Sequence, residues 1–415
     1  MRRRPIIAVL AVIQGLGAWV IYLRMTGGTL KRPDLSSSSN VEALRDLKSP
    51  LTQSPLMKAH LERRFAHRRN MLKEACDHFG NKQFPRNVNK HLTYDHKSSQ
   101  PTYSMCMIPK VGSTFWRQVY TAYRKTADKS KPKGAYDISI EYDRGSLRLS
   151  NTMLTFVREP CLRLFSGYVD KIFYINPSFW NTLGRSVVRF NASHTKRSRG
   201  GHEITFAELV DYVLYCHENK KHIDSHFKPM SEHCGFCEID YTYIGKMETF
   251  RDDVVYMSDI MGLLNFTTVG ENILKYCFHG KSETIYRLGH LVFYHTRRAM
   301  ERSGVSLIEG LRRTWKTWQI RGMISIEFPL QANDTKITFE RFNELAQKAY
   351  KASKPSILHE ARDRALRQAY GSLTYDAKVR LMKMFEPEFK MFDYNPMPDF
   401  VFGEHRNEDS IDLFS

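Results

Sequence analysis

The run CMIPKVGSTFW, residues 106–116, decides how this chain is read. An apolar stretch, Tyr103 to Ile108, ends in Pro109-Lys110. Gly112, Ser113 and Thr114 follow, and amphipathic sequence starts at Phe115. That order predicts a strand, a tight loop and a helix. Backbone N–H groups at a helix N-terminus point outward, and the helix dipole adds positive potential there. Gly112 lets the loop curl without a Cβ clash. Ser113 and Thr114 bring hydroxyls, and Lys110 a point charge. The stretch suits a phosphate or a sulfate. It is not a Walker A loop, in which the lysine follows the second glycine and directly precedes the hydroxyl residue. The other reading is an ordinary strand-to-helix turn capped by Ser113 or Thr114. Taken alone, the stretch leaves both open.

The chain has 415 residues, 42% of them hydrophobic, enough for one large α/β domain or two smaller ones. A net charge of +19 points to an acidic partner: nucleic acid, anionic lipid or acidic polysaccharide. The N-terminus narrows the choice. Arg2, Arg3 and Arg4 precede an uncharged run from Pro5 to Leu23 that carries Trp19 and Tyr22 near its far end. As a helix this run matches a bilayer's hydrocarbon thickness of roughly 30 Å, with aromatics at one interface. It reads as an uncleaved signal anchor, with residues 1–4 cytosolic and everything after it luminal. Three sequons, at Asn191, Asn265 and Asn333, and seven cysteines agree with an oxidising lumen. An odd number leaves at least one free or intermolecular. A luminal chain makes nucleic acid an improbable partner.

Residues 24–55, rich in Ser, Pro, Gly and charge, read as a stem. From Leu56 to Phe79 apolar residues fall at helical spacing, with Arg63, Arg64, Arg68 and Arg69 assigned to a solvated face. Strands are predicted at Tyr103–Ile108, Thr152–Val157 and Tyr241–Ile244. Helices are predicted at Thr114–Lys125, Cys161–Phe173, Phe206–Asn219, Thr249–Leu264, Phe339–Ser353 and Tyr375–Phe385. Strands alternating with helices imply an α/β fold, a central parallel sheet flanked by helices. Arg185 to Glu203 reads as a surface loop, with a second such insert near Gly280–Arg321.

A second stretch bears on the opening one. In TFVREPCLRLFSGYVDK, residues 155–171, Arg158 follows a β-rich run, and Pro160 marks a helix start. Arg163, Ser166 and Asp170 then share a helix face. Arg158 and Ser166 are placed to hold a second phosphate; the alternative is an Arg163–Asp170 surface network with Ser166 solvated. Two further blocks follow, SHFKPMSEHCGFCEIDYTYIGKMET (225–249) and FEPEFKMFDY (385–394). Together these stretches resemble the Golgi carbohydrate sulfotransferases, closest to the chondroitin/dermatan/N-acetylgalactosamine 4-O-sulfotransferase-like family. That family shows P-K-V-A-S/T-T-x-W, V-R-[DE]-P-x-x-R-L-x-S-[AG]-Y, and H-W-x-P followed by C-x-x-C and Y-D-x-[IV]-G-K-x-E-T. The resemblance covers about residues 56–394, read as the luminal sulfotransferase domain. It leaves 395–415 as an extension. Departures are Gly112 for alanine, expected to be tolerated or to loosen the loop, Phe115 for asparagine and Phe227 for tryptophan.

The resemblance implies a P-loop-like sulfotransferase fold and 3′-phosphoadenosine 5′-phosphosulfate (PAPS) as donor, its sulfonate passing to a sugar hydroxyl. Lys110 would stabilise the leaving oxygen, with Val111, Gly112, Ser113 and Thr114 fixing the 5′ end. Arg158 and Ser166 would bind the 3′-phosphate, and Arg163 would support the loop. No metal is implied. His226 is the first choice of catalytic base, with Asp224 and Glu248 as alternatives. Cys234 and Cys237 are expected to close a local disulfide. The acceptor would be a chondroitin- or dermatan-type polysaccharide or an N-acetylgalactosamine-bearing glycan, and a homo-oligomer is compatible with the sequence. The competing reading is a membrane-tethered glycan-binding protein of the same fold without catalysis.

Overall fold

The computed structural model describes residues 55–80, 91–94, 103–127, 152–191, 200–403 and 414. The anchor read at 5–23 and the stem, but for Pro55, lie outside these residues. Among the described residues no helix is long and apolar enough to cross a membrane.

Most of the described chain is helical and surrounds one small sheet. Its four strands run in the order β1 (His91–Tyr94), β2 (Tyr103–Cys106), β3 (Thr152–Val157) and β4 (Tyr241–Lys246). β2, β3 and β4 are parallel, with Cys106 opposite Thr155 and Val157 opposite Lys246. β1, which the sequence patterning does not pick out, adds an antiparallel edge against β2. β2 is buried throughout and β3 almost so, as a near-continuous apolar run in a covered parallel sheet should be.

The longer helices are α1 (Pro55–Phe79), α2 (Ser113–Ala127), α3 (Pro160–Tyr168), α4 (Phe206–Glu218), α5 (Phe250–Ile260), α6 (Thr267–Leu291), α7 (Leu307–Ile320), α8 (Phe339–Ala352), α9 (Pro355–Gly371) and α10 (Tyr375–Met391). Their starts follow local chemistry. Thr205 and Glu208 form a capping box on α4, and Thr374 caps α10. Glu159 accepts the N–H groups of Cys161 and Leu162, with Pro160 in the first turn of α3. Three apolar clusters make the core. One joins α1 and α5 to the sheet, one gathers α3, α4, α9 and α10, and one joins α6, α7 and α8.

Several expectations change. Arg68 does not sit on a solvated face of α1: it is 5% exposed and donates to Asp253, itself fully buried, at 2.7 Å. Asp253 also accepts from the Lys246 N–H and the Thr249 hydroxyl, so the charge pair fastens α1 to the end of β4. The 185–203 segment opens with a helix, Arg185–Asn191, whose Val187 is buried. The expected insert at 280–321 is helical and internal, burying Ile285, Leu288, Leu311, Trp315 and Trp318. Residues 395–415 include a helix, Asp399–Phe402, that buries Val401, and Phe414 meets the rings of Phe165, Tyr168 and Phe173. Asn265 and Asn333 are exposed, whereas the side-chain nitrogen of Asn191 is buried.

Cys234 and Cys237 are both disulfide-bonded, but not to each other. Cys234 pairs with Cys106 at the end of β2, and Cys237 with Cys76 in α1, with Cα–Cα distances of 6.0 and 5.3 Å. Between them Gly235 takes a left-handed φ of 56°, so the turn sends the two sulfurs to different elements. Cys161, Cys216 and Cys277 are free thiols. Peptide mapping under non-reducing conditions is therefore expected to recover Cys76–Cys237 and Cys106–Cys234. Recovery of a Cys234–Cys237 loop would contradict this fold.

Candidate active site

Parallel strands deliver their following residues to one edge of the sheet, where open α/β folds bind ligands. Here Lys110 follows β2, Arg158 follows β3 and Glu248 follows β4. Lys110 adopts a left-handed backbone, φ 73°, and Gly112 another, φ 85°. α2 then begins, its Trp116 N–H closing on the Gly112 carbonyl at 3.1 Å. Glycine at 112 suits this backbone, so its place in the loop is accommodated rather than disruptive. A Cβ there would lie 2.8 Å from the Phe250 ring, and its φ suits no other side chain well. Phe115 packs into the core against Phe250 and Tyr276. Ser113 is half-buried and Thr114 exposed at the start of α2.

The Lys110 ammonium meets Asp170 at 3.0 Å. The same carboxylate takes Lys171 at 3.2 Å and Arg321 at 3.1 Å. Burial would raise the Asp170 carboxyl, but these cations, Lys110 first, hold it well below the usual carboxylate range. Burial pushes Lys110 down to about 7; Asp170 opposes this, while Arg321 and Lys171 add to it. Asp170 and Lys171 lie in a π-helical turn, Val169–Phe173, that continues α3. The alternative Arg163–Asp170 network does not form: Arg163 donates instead to the carbonyls of Pro109, Lys228 and Ser225.

Arg158 is half-buried at the mouth of β3, its guanidinium reaching the Lys110 carbonyl at 3.5 Å. Burial draws it down to about 10, as does the nearby Arg362, against the pull of Glu248 and Glu159. Ser166 is half-buried on α3. Glu248 accepts the Glu159 N–H at 3.0 Å and the Tyr394 hydroxyl at 2.9 Å. Those bonds tie Glu248 to the Arg158 side of the site.

His226 pairs with Asp224. Its Nδ1 lies 2.7 Å from Asp224 Oδ1, and its backbone N–H donates to the same oxygen at 2.9 Å. Asp224 thus orients the imidazole, with Nδ1 carrying the proton and Nε2 left to accept one. Burial lowers the His226 pKa, with Lys171 and Lys110 adding to the effect and Asp224 opposing it. Phe179 abuts the imidazole edge-on at 5.3 Å, and the Lys171 ammonium sits 4.8 Å over the Phe179 ring. The anion loop and the Asp224–His226 pair are therefore neighbours.

Arg163, 1% exposed, holds the two together. It donates to the Pro109 carbonyl at 3.0 Å, to Lys228 at 2.7 Å and to Ser225 at 3.0 Å. The sequence signal for Arg163 as a support was sound. Lys171 and Arg321 carried no such signal, since their relation to Lys110 exists only through Asp170. Lysine at 163 keeps the charge but cannot present three donors in a planar fan. Arg163→Lys is expected to cost about 3 kcal/mol of unfolding free energy by leaving buried carbonyls unpaired. Denaturant titration checks this, and a loss well under about 1 kcal/mol would rule the staple out.

The model of the sulfotransferase family matches residues 98–299. Carbohydrate sulfotransferase 8 of Homo sapiens is 28% identical over 215 residues, covering 48% of this chain and 50% of the relative. Carbohydrate sulfotransferase 10 of Xenopus laevis is 30% identical over 200 residues, covering 41% and 54%. Carbohydrate sulfotransferase 11 of Mus musculus is 27% identical over 203 residues, covering 44% and 57%. The chain spans about half the length of the curated relatives it matches. No solved structure matches it. Lys110, Arg158 and His226 all lie inside the segment that is similar to the sulfotransferase family.

Proposed function

We propose that this chain transfers the sulfonate of PAPS to a carbohydrate hydroxyl. The acceptor is a chondroitin- or dermatan-type polysaccharide or an N-acetylgalactosamine-bearing glycan, and the enzyme is a single-pass Golgi membrane protein with its catalytic domain in the lumen. One observation carries the reading: a half-buried lysine in a left-handed loop lies beside an oriented Asp224–His226 pair, with an arginine at the neighbouring strand end. The cation set fits a nucleotide with anionic groups at both ends. Lys110, the Val111–Thr114 backbone and the Ser113 and Thr114 hydroxyls would hold the 5′ end, and Arg158 and Ser166 the 3′-phosphate. The donor supplies a sulfonate already activated on a phosphate leaving group.

The chain's own residues do the rest. His226 Nε2 takes the proton of the acceptor hydroxyl, and Asp224 stabilises the resulting imidazolium through Nδ1–H. Lys110 offers its charge where negative charge builds on the departing oxygen, in a setting with little competing water. A binding protein without catalysis has no use for the oriented Asp224–His226 pair. The Lys- and Arg-rich surface suits acidic acceptors, which would bind with marked salt dependence.

The pH dependence has a definite sign. His226 is held below its ordinary value, so it is base-competent already in mildly acidic solution. Lys110, at about 7, loses its charge as pH rises through that point. The pH profile of kcat/KM for PAPS should therefore be a bell with its alkaline limb near 7. A profile still rising at alkaline pH would contradict it. Sulfonate transfer from radiolabelled PAPS to chondroitin, desulfated dermatan and an N-acetylgalactosamine glycoside tests the whole reading. Lys110→Ala and His226→Ala are each expected to lose on the order of 100-fold or more. Undiminished transfer by both variants would refute the assignment.

A further inference from the structure

The charges around Asp170 are unequal. One carboxylate faces Lys110, Lys171 and Arg321, at 3.0, 3.2 and 3.1 Å, and none of the three cations is more than 22% exposed. Asp170 offsets one of the three charges and Asp224 also acts on Lys171, so the cluster stays net positive and suits a further anion. The three come from separate places: the loop after β2, the π-turn after α3, and the end of α7. Each is fixed by independent packing. Lys171 lies over Phe179. The π-turn keeps Asp170 and Lys171 pointing toward Lys110.

Arg321 is set by its neighbour. Gly322 ends α7 with φ 62°, and a Cβ there would lie 2.7 Å from the Leu358 carbonyl of α9. The Lys281 ammonium donates to the Gly322 carbonyl at 3.0 Å. The backbone that carries Arg321 is thus fixed, although the residue lies outside the segment the family model matches.

We propose that Lys110, Lys171 and Arg321 form one three-cation receptor for the phosphosulfate end of the donor, with Asp170 as its built-in anion that the donor displaces. The inference rests on the reading of the Lys110 loop given above and extends it. Arg321 becomes a donor-binding residue, and Asp170 a competitor that keeps the cations in place. The doubly charged phosphosulfate matches the receptor better than a single carboxylate does, so exchange favours the donor.

Calorimetric titration of the intact chain with adenosine 3′,5′-bisphosphate and with adenosine 3′-phosphate tests this. Only the first probe carries a 5′ anion. Arg321→Ala should weaken the bisphosphate by about tenfold or more and leave the 3′-phosphate within about twofold. Arg321→Lys should recover part of the loss. Asp170→Asn, checked for an unchanged melting temperature, should tighten the bisphosphate several-fold and leave the 3′-phosphate alone. Bisphosphate binding unchanged in Arg321→Ala, or weakened by a folded Asp170→Asn, overturns the inference while leaving the Lys110 reading intact. If the unaltered chain binds neither nucleotide, that reading fails and this one with it.

Discussion

The site depends on one buried guanidinium. Arg163 projects from α3 and ties the carbonyls of Pro109, Ser225 and Lys228 into a single fan. Pro109 precedes Lys110, and Ser225 and Lys228 bracket His226. Without that fan, the anion loop and the Asp224–His226 pair would belong to two loops with no fixed relation. The charge itself is buried against Glu388, whose carboxyl burial pushes up to about 7 while Arg163 draws it down. The relative placement of the two loops thus rests on a residue that need not touch a ligand.

Around that staple, the fold brings charge from every part of the core to one edge of the sheet. Lys110 leaves the sheet cluster, Asp170 and Lys171 extend the α3 helix, and Arg321 caps the helix that packs with α6 and α8. Lys110 accepts a left-handed backbone, an unfavourable conformation for lysine, and such strain tends to persist where surrounding packing over-determines the chain. The Cys106–Cys234 bridge stabilises the same region from below, joining the strand that feeds the loop to the segment that follows His226.

Much of this was legible because it is local. The strand–loop–helix order around Lys110, the turn at Arg158-Glu159-Pro160 and the parallel strands follow from apolar runs, one glycine and one proline. What was not legible depends on partners distant in sequence. Cys234 and Cys237 are three residues apart, yet each bonds a residue more than a hundred positions away. Helices α6 and α7 were hidden by glycines that look like breakers. In α7 the glycine serves close packing: a Cβ at Gly310 would lie 2.3 Å from the Met300 sulfur. Arg68 looked solvated because nothing in its own helix announces Asp253. Arg321 was invisible for the same reason, its meaning residing in Asp170.

The central claim is that the Lys110 loop and the Arg158 turn hold the two ends of one nucleotide. A crystal structure of the chain with adenosine 3′,5′-bisphosphate tests it most directly. The account predicts the 5′-phosphate within hydrogen-bond reach of the Lys110 ammonium and the N–H groups at the start of α2, and the 3′-phosphate on Arg158. A well-ordered nucleotide bound elsewhere, or bound here with neither phosphate on Lys110 or Arg158, would contradict it.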